Sequence, residues 1–133
     1  MKKILLVLIL ILSSNVSIAQ WKSFGKFNAG ELFIDRGKVT KQGNLMDVWY
    51  YVSFDVPTQV PGQGNVQSVL FHAFENCEQR VRTFSLIVNY AGPNITGAIT
   101  ASKTNGSSFV FEDITPNSMD EVIFKFACAK YRQ

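Results

Sequence analysis

Residues 46–54 read Met46-Asp47-Val48-Trp49-Tyr50-Tyr51-Val52-Ser53-Phe54. Met46, Val48, Tyr50, Val52 and Phe54 alternate with Asp47, Trp49, Tyr51 and Ser53. Successive side chains of a strand point to opposite faces, so this period of two predicts a half-buried β-strand with an apolar even-numbered face. Similar segments flank it. Leu32 to Val39 is a candidate strand, followed by a turn at Gln42-Gly43-Asn44. Pro57, Pro61, Gly62 and Gly64 break the chain into a loop, and Val66 to Glu75 resumes as a strand. Arg80 to Tyr90 follows, with Arg80, Phe84, Leu86, Val88 and Tyr90 on one face. After a turn at Gly92-Pro93-Asn94 come Ile95 to Ser102, the hairpin signal Asn105-Gly106, and Phe109 to Ile114. Strands in this order with short connections predict a six-stranded antiparallel meander.

The C-terminal segment has a different period. Met119, Ile123, Phe126, Ala127 and Tyr131 fall on one side of a helix, and Glu121, Lys125 and Arg132 on the other. Ser118 and Glu121 have capping-box spacing, Pro116 suits a helix start, and Glu121 and Lys125 form an i, i+4 pair. Val122, Phe124, Phe126 and Cys128 also alternate, so a strand remains open on pattern alone; the caps and charge placement favour the helix. The expected fold is α+β, with the C-terminal helix packed on one face of the sheet so that both apolar surfaces are buried.

Of the 133 residues, the first 19 read as an export signal. Lys2 and Lys3 precede an apolar run from Ile4 to Leu12, and Ser17-Ile18-Ala19 is a small-residue cleavage pattern. Cleavage after Ala19 would leave residues 20–133 as one domain, in the periplasm, at the cell surface or secreted. No apolar run in 20–133 is long enough to span a membrane, and no cysteine lies near the cleavage site for a lipid anchor. Lys2 and Lys3 account for two of the 13 basic residues; the rest, against 10 acidic ones, leave a net charge of +1. No Lys or Arg occurs between Lys41 and Arg80, so the clustered basic footprint of a nucleic-acid binder is missing.

Cys77 and Cys128 are the only cysteines. In an exported chain without a CxxC pattern and with one histidine, a disulfide is the default and a metal site is not. The bridge would tie the C-terminal helix to the strand that ends near Cys77.

Several short pieces then fall into a known order. Trp21 lies near the mature start, followed by Phe33-Ile34-Asp35, Gly43-Asn44 leading into Val48-Trp49-Tyr50, and Asn76-Cys77 with Arg80 and Arg82. Ile114-Thr115-Pro116-Asn117-Ser118 precedes Cys128-Ala129-Lys130-Tyr131. This arrangement resembles the surface-adhesin protein E family of Gram-negative bacteria, from Trp21 to Tyr131. The resemblance implies a six-stranded antiparallel sheet with a disulfide-linked C-terminal helix. It also implies an exported, non-enzymatic protein, with host extracellular-matrix proteins or haem as the ligands of some relatives. Two residues carry over, Cys77 and Cys128, as structural residues.

His72 is the only imidazole and shares a strand face with Leu70 and Phe74. It reads as a partly buried structural histidine, with haem ligation as the sharper alternative. No nucleophile-elbow pattern occurs, and sequence places no serine beside His72, so no catalytic residues are assigned. Asp113, Asp120 and Glu121 are explained by a helix start rather than by calcium. Trp49 and Tyr51 stand opposite the core face, where they mark either a binding surface or the face covered by the helix. The expected function is an exported binding module. The alternative is a structural or accessory cell-envelope protein with no dedicated ligand.

Overall fold

The computed structural model describes residues 18–104 and 110–131. Most of the segment read as an export signal and the Asn105-Gly106 turn lie outside the described residues. The elements are β1 (Trp21–Phe27), β2 (Gly30–Asp35), β3 (Thr40–Gln42), β4 (Leu45–Val60), β5 (Gly64–Asn76), β6 (Val81–Tyr90), β7 (Ile99–Thr104), β8 (Glu112–Asp113) and one helix, α1 (Met119–Tyr131). The sheet runs β1-β2-β4-β5-β6-β7 with every pair antiparallel; β3 adds to β4 and β8 to β6.

The even-numbered side chains of β4 face the helix, as the alternation predicts. Met46, Val48, Tyr50 and Val52 cluster with Leu32 and Ile34 of β2, Ala73 of β5, and Ile123 and Ala127 of α1. Met119, Phe126 and Tyr131 extend that helix stripe against the cluster. The strand reading of 119–131 is therefore ruled out. Asp120 and Glu121 occupy the first turn, where the helix dipole favours carboxylates. The expected capping box does not form: the Glu121 carboxylate accepts a backbone hydrogen bond from Asn117 rather than Ser118, and the Ser118 hydroxyl donates to the Thr115 carbonyl at 2.6 Å. Glu121 also pairs with Lys125 at 3.1 Å.

The helix is held to the sheet at both ends. Near its C-terminus, Cys128 is bonded to Cys77 just beyond β5, with 5.6 Å between their Cα atoms. At its N-terminus, Arg82 of β6 reaches Asp120 at 2.5 Å and Glu75 of β5 at 2.6 Å. Glu75 and Arg82 are both buried, and the guanidinium also lies 5.8 Å from the Tyr50 ring. Burial pushes the Glu75 carboxyl up to about 7 against the pull of Arg82, because desolvation penalises the charged form.

Several details depart from the sequence reading. The loop read across Pro57 to Gly64 narrows to residues 61–63, because β4 runs on through Pro57 to Val60 and β5 starts at Gly64. β1 escapes the period-two pattern because the pairing shifts between Ser23 and Lys26, where Gly25 has a φ of 111°. That bulge lets Phe24 and Phe27, three residues apart, both pack on the core. The strand expected to reach Val39 ends at Asp35, whose side chain and carbonyl accept the Gly37 and Lys38 amides in a tight turn.

In β6 the predicted common face is broken. The register shifts at His72/Ala73, so Phe84 pairs with Ala73 on the helix side while Leu86 pairs with His72 on the other. Ser85 is the extra residue between them.

The last two strands do not form the expected hairpin. β7 starts at Ile99 rather than Ile95, because Asn94 and Ile95 take left-handed φ values of 52° and 53° in the preceding loop. Their amides donate to the hydroxyls of Ser53 and Ser68. β8 then pairs with Val81 and Arg82, on the same edge of β6 that β7 covers at Leu86–Tyr90. Both run antiparallel to β6, so the chain continues along that edge instead of reversing on itself.

Candidate binding surface

With α1 covering the even face of β4, the odd face is the one without a helix. Antiparallel partners share a face, so the register places Asp47, Trp49, Tyr51 and Ser53 of β4 beside Phe74, His72, Leu70 and Ser68 of β5. The alternative in which the helix covers Trp49 and Tyr51 is thereby excluded.

Two aromatic groups stand on this face. Trp49 and His72 are direct cross-strand neighbours whose rings stack 4.2 Å apart at 12°. Phe74 lies 5.0 Å from the imidazole. Two residues along β4, Tyr51 stacks on Phe33 of β2 at 4.7 Å and takes the edge of Trp21 of β1 at 4.8 Å. Tyr51 is buried by this arrangement, so it serves as support rather than as an exposed contact. Burial and the nearby Glu31 carboxylate both raise its phenol above the usual range. Trp49 and His72 are half-buried, so their outer edges reach the surface.

A polar row crosses the face beneath Trp49. His72 Nε2 is hydrogen-bonded to Asp47 Oδ1, and the Ser85 hydroxyl to His72 Nδ1. Gln42 Nε2 donates to Asp47 Oδ2 at 3.2 Å. Four strands, β3 to β6, thus contribute one residue each. The sequence reading singled out His72 but missed Asp47, Ser85 and Gln42. The Ser85 contact depends on the β6 bulge, which re-aims a side chain in a way no alternation pattern reveals.

A serine, a histidine and an aspartate in line invite comparison with a catalytic triad. Acyl transfer also needs donors converging on a developing oxyanion. Ser85 sits within a strand, not at the turn or helix N-terminus that supplies such donors in serine hydrolases. The row instead satisfies every ring nitrogen of a half-buried imidazole and fixes its plane, which in turn fixes the plane of Trp49.

Among the described residues no group of three His, Cys, Asp or Glu side chains is placed to hold a metal ion, and no helix is long and apolar enough to cross a membrane. Two clefts flank α1. One, of about 680 Å³, is lined by Cys77, Glu78, Arg80, Phe124, Cys128 and Tyr131.

Comparison with known structures gives the same architecture. Haemophilus influenzae protein E, in crystal form II, superposes with a TM-score of 0.64, covering 89% of this chain and 94% of that one at 16% identity. Protein E from non-typeable Haemophilus influenzae gives 0.62, covering 89% and 81% at 16% identity. At these identities the likeness shows the fold. Over 111 residues, 82% of this chain, the sequence is 29% identical to the glycine–tRNA ligase beta subunit of Rickettsia akari, of which the match spans 17%. The corresponding subunit of Rickettsia peacockii matches at 29% over 92 residues, 14% of its length. The chain therefore spans less than a fifth of these curated relatives. A family model described as surface-adhesin protein E matches residues 21–129, nearly the whole described fold, and the chain belongs to the surface-adhesin protein E family.

Proposed function

We propose that this chain is an exported, non-enzymatic binding module whose partner is a host extracellular-matrix protein, engaged through the helix-free face of the sheet. The observation that carries the reading is the Trp49–His72 stack, an aromatic pair at the surface whose imidazole is hydrogen-bonded at both ring nitrogens. Pre-ordered aromatics of this kind give contact area at low entropic cost. Membership of an adhesin family supports a host protein as the class of partner. The export reading rests on the Lys2-Lys3 start, the apolar run and the Ser17-Ile18-Ala19 step.

Haem is the less favoured ligand. Both ring nitrogens of His72 are engaged, so axial ligation would first break the bond to Asp47 or to Ser85. The test is adhesion of whole bacterial cells to a matrix-coated surface, with and without the chain. Expression should raise adhesion. Equal adhesion would favour a structural role in the envelope.

A further inference from the structure

Asp35 is a buried carboxylate, 1% exposed, at the end of β2. Carboxylates are almost never fully buried unless a cation or several donors compensate them. No ion pair involves Asp35 among the described residues. Its Oδ1 accepts two backbone amides, Gly37 N and Gln20 N, each at 3.0 Å. Its Oδ2 is buried and has no hydrogen-bond partner among the described residues. The buried carboxyl group offers a free acceptor, and its hydrogen-bond donors among the described residues are two neutral amides.

Gln20 is the residue held there, at three points. Its nitrogen is on Asp35, and its carbonyl accepts the Arg36 amide at 3.0 Å, continuing the β1–β2 ladder. Its side chain lies against Gly37, where a Cβ would come within 3.2 Å of Gln20 Cδ. Immediately before it the chain leaves the fold: Ala19 is exposed and Ile18 is 77% exposed. The last anchored nitrogen of the domain is therefore the one that follows the Ser17-Ile18-Ala19 pattern.

We propose that Asp35 is a socket for the N-terminus created by maturation: hydrolysis of the Ala19–Gln20 bond turns the Gln20 nitrogen into an α-ammonium that pairs with the buried Asp35 carboxylate. The proposal rests on the export reading above. Water adds across the peptide bond under an exported-protein peptidase, leaving a carboxylate on Ala19 and an ammonium on Gln20. One neutral N–H becomes three N–H groups carrying a positive charge. One keeps Oδ1, and a second is free to reach Oδ2. The uncut chain leaves Asp35 without its cation, so cleavage completes the fold as well as releasing it. Amine held as ammonium is not nucleophilic, so Gln20 does not cyclise onto its own side-chain amide.

Two measurements test this. Mass spectrometry of the exported protein should find an intact, uncyclised Gln20 as first residue; a different start, or a pyroglutamyl terminus, overturns the socket. Independently, residues 20–133 released from a cleavable fusion are melted beside the same chain carrying a neutral Gly-Ser-Gly-Ser leader, with Asp35 unchanged in both. The chain starting at Gln20 should melt about 5 °C higher or more, and in an Asp35→Asn background the difference should vanish. If the first pair melts at the same temperature, the socket is wrong even where the export reading stands. If Asp35→Asn does not fold, the first pair alone decides.

Discussion

The indole of Trp49 lies against the imidazole of His72, 4.2 Å between ring centres and 12° from parallel. The same imidazole is bonded on one side to Asp47 and on the other to Ser85. One histidine thus joins three central strands and sets the orientation of the aromatic beside it. That makes His72 a positioning residue for the surface, not a reactive one.

Replacing His72 with alanine should leave Asp47 and Ser85 facing each other across a gap, each having lost a half-buried partner. The expected cost is about 2 kcal/mol of stability, the usual penalty for stranding buried polar groups. Urea unfolding would measure it. His72→Gln, which can keep one of the two bonds, should recover part of the loss. A His72→Ala protein as stable as the wild type would show that the row is ornamental.

Haem titration should give no saturable Soret change in the wild-type protein, because neither His72 nitrogen is free to bind iron. A saturable shift that disappears in His72→Ala would reverse this assignment.

Glu75 should make the domain less stable as the solution becomes more basic. Burial raises its folded-state value from 4.5 to about 7, with Arg82, Asp120 and Tyr50 as the charged or titratable groups facing it. The folded protein therefore binds this proton more tightly than the unfolded chain. The contribution is fully present below the unfolded value of 4.5 and is lost as pH rises through about 7. It amounts to about 3 kcal/mol. The difference between wild-type and Glu75→Gln unfolding free energies, measured from pH 4 to 8, should carry this slope. A constant difference would mean that Arg82 keeps Glu75 ionised throughout.

Reduction of Cys77–Cys128 should lower the melting temperature substantially. The bridge spans a sequence separation of 51, and closing a loop of that size is worth about 4 kcal/mol in the chain-entropy model. Hydrogen exchange after reduction should show α1 opening before β4 and β5, which are laddered on both sides. An unchanged melting curve after full reduction would contradict the staple.

The parts of this fold that sequence exposes are those in which a period runs unbroken. Met46 to Val52 alternate without interruption, and Met119, Ile123, Ala127 and Tyr131 keep one helical stripe, so both the core and the helix that covers it were legible. The cysteine pair followed from composition and compartment. What stayed hidden lies at broken periods. Gly25 lets β1 slip by a residue, and Ser85 does the same in β6, each turning later side chains to the other face. The Asp47–His72–Ser85 row depends on that second slip, and β8 pairs with Val81 and Arg82 of β6 where the Asn105-Gly106 signal pointed to a hairpin with β7. Trp49 was legible as lying opposite the core face, but alternation alone could not show which face the helix covers, nor that Trp21 and Phe33 bury Tyr51.

The central claim is that the helix-free face, and Trp49 in particular, makes the contact. Its most direct test is equilibrium binding of purified residues 20–133 to immobilised extracellular-matrix protein, comparing the wild type with Trp49→Ala and with Lys125→Ala, a change on the exposed side of α1. Far-ultraviolet circular dichroism would confirm that both variants are folded. Trp49→Ala should weaken binding at least tenfold, the loss expected when an aromatic anchor is truncated at roughly 1.4 kcal/mol or more, while Lys125→Ala binds like the wild type. Equal affinity for all three proteins, or greater loss on the helix side, would contradict the account.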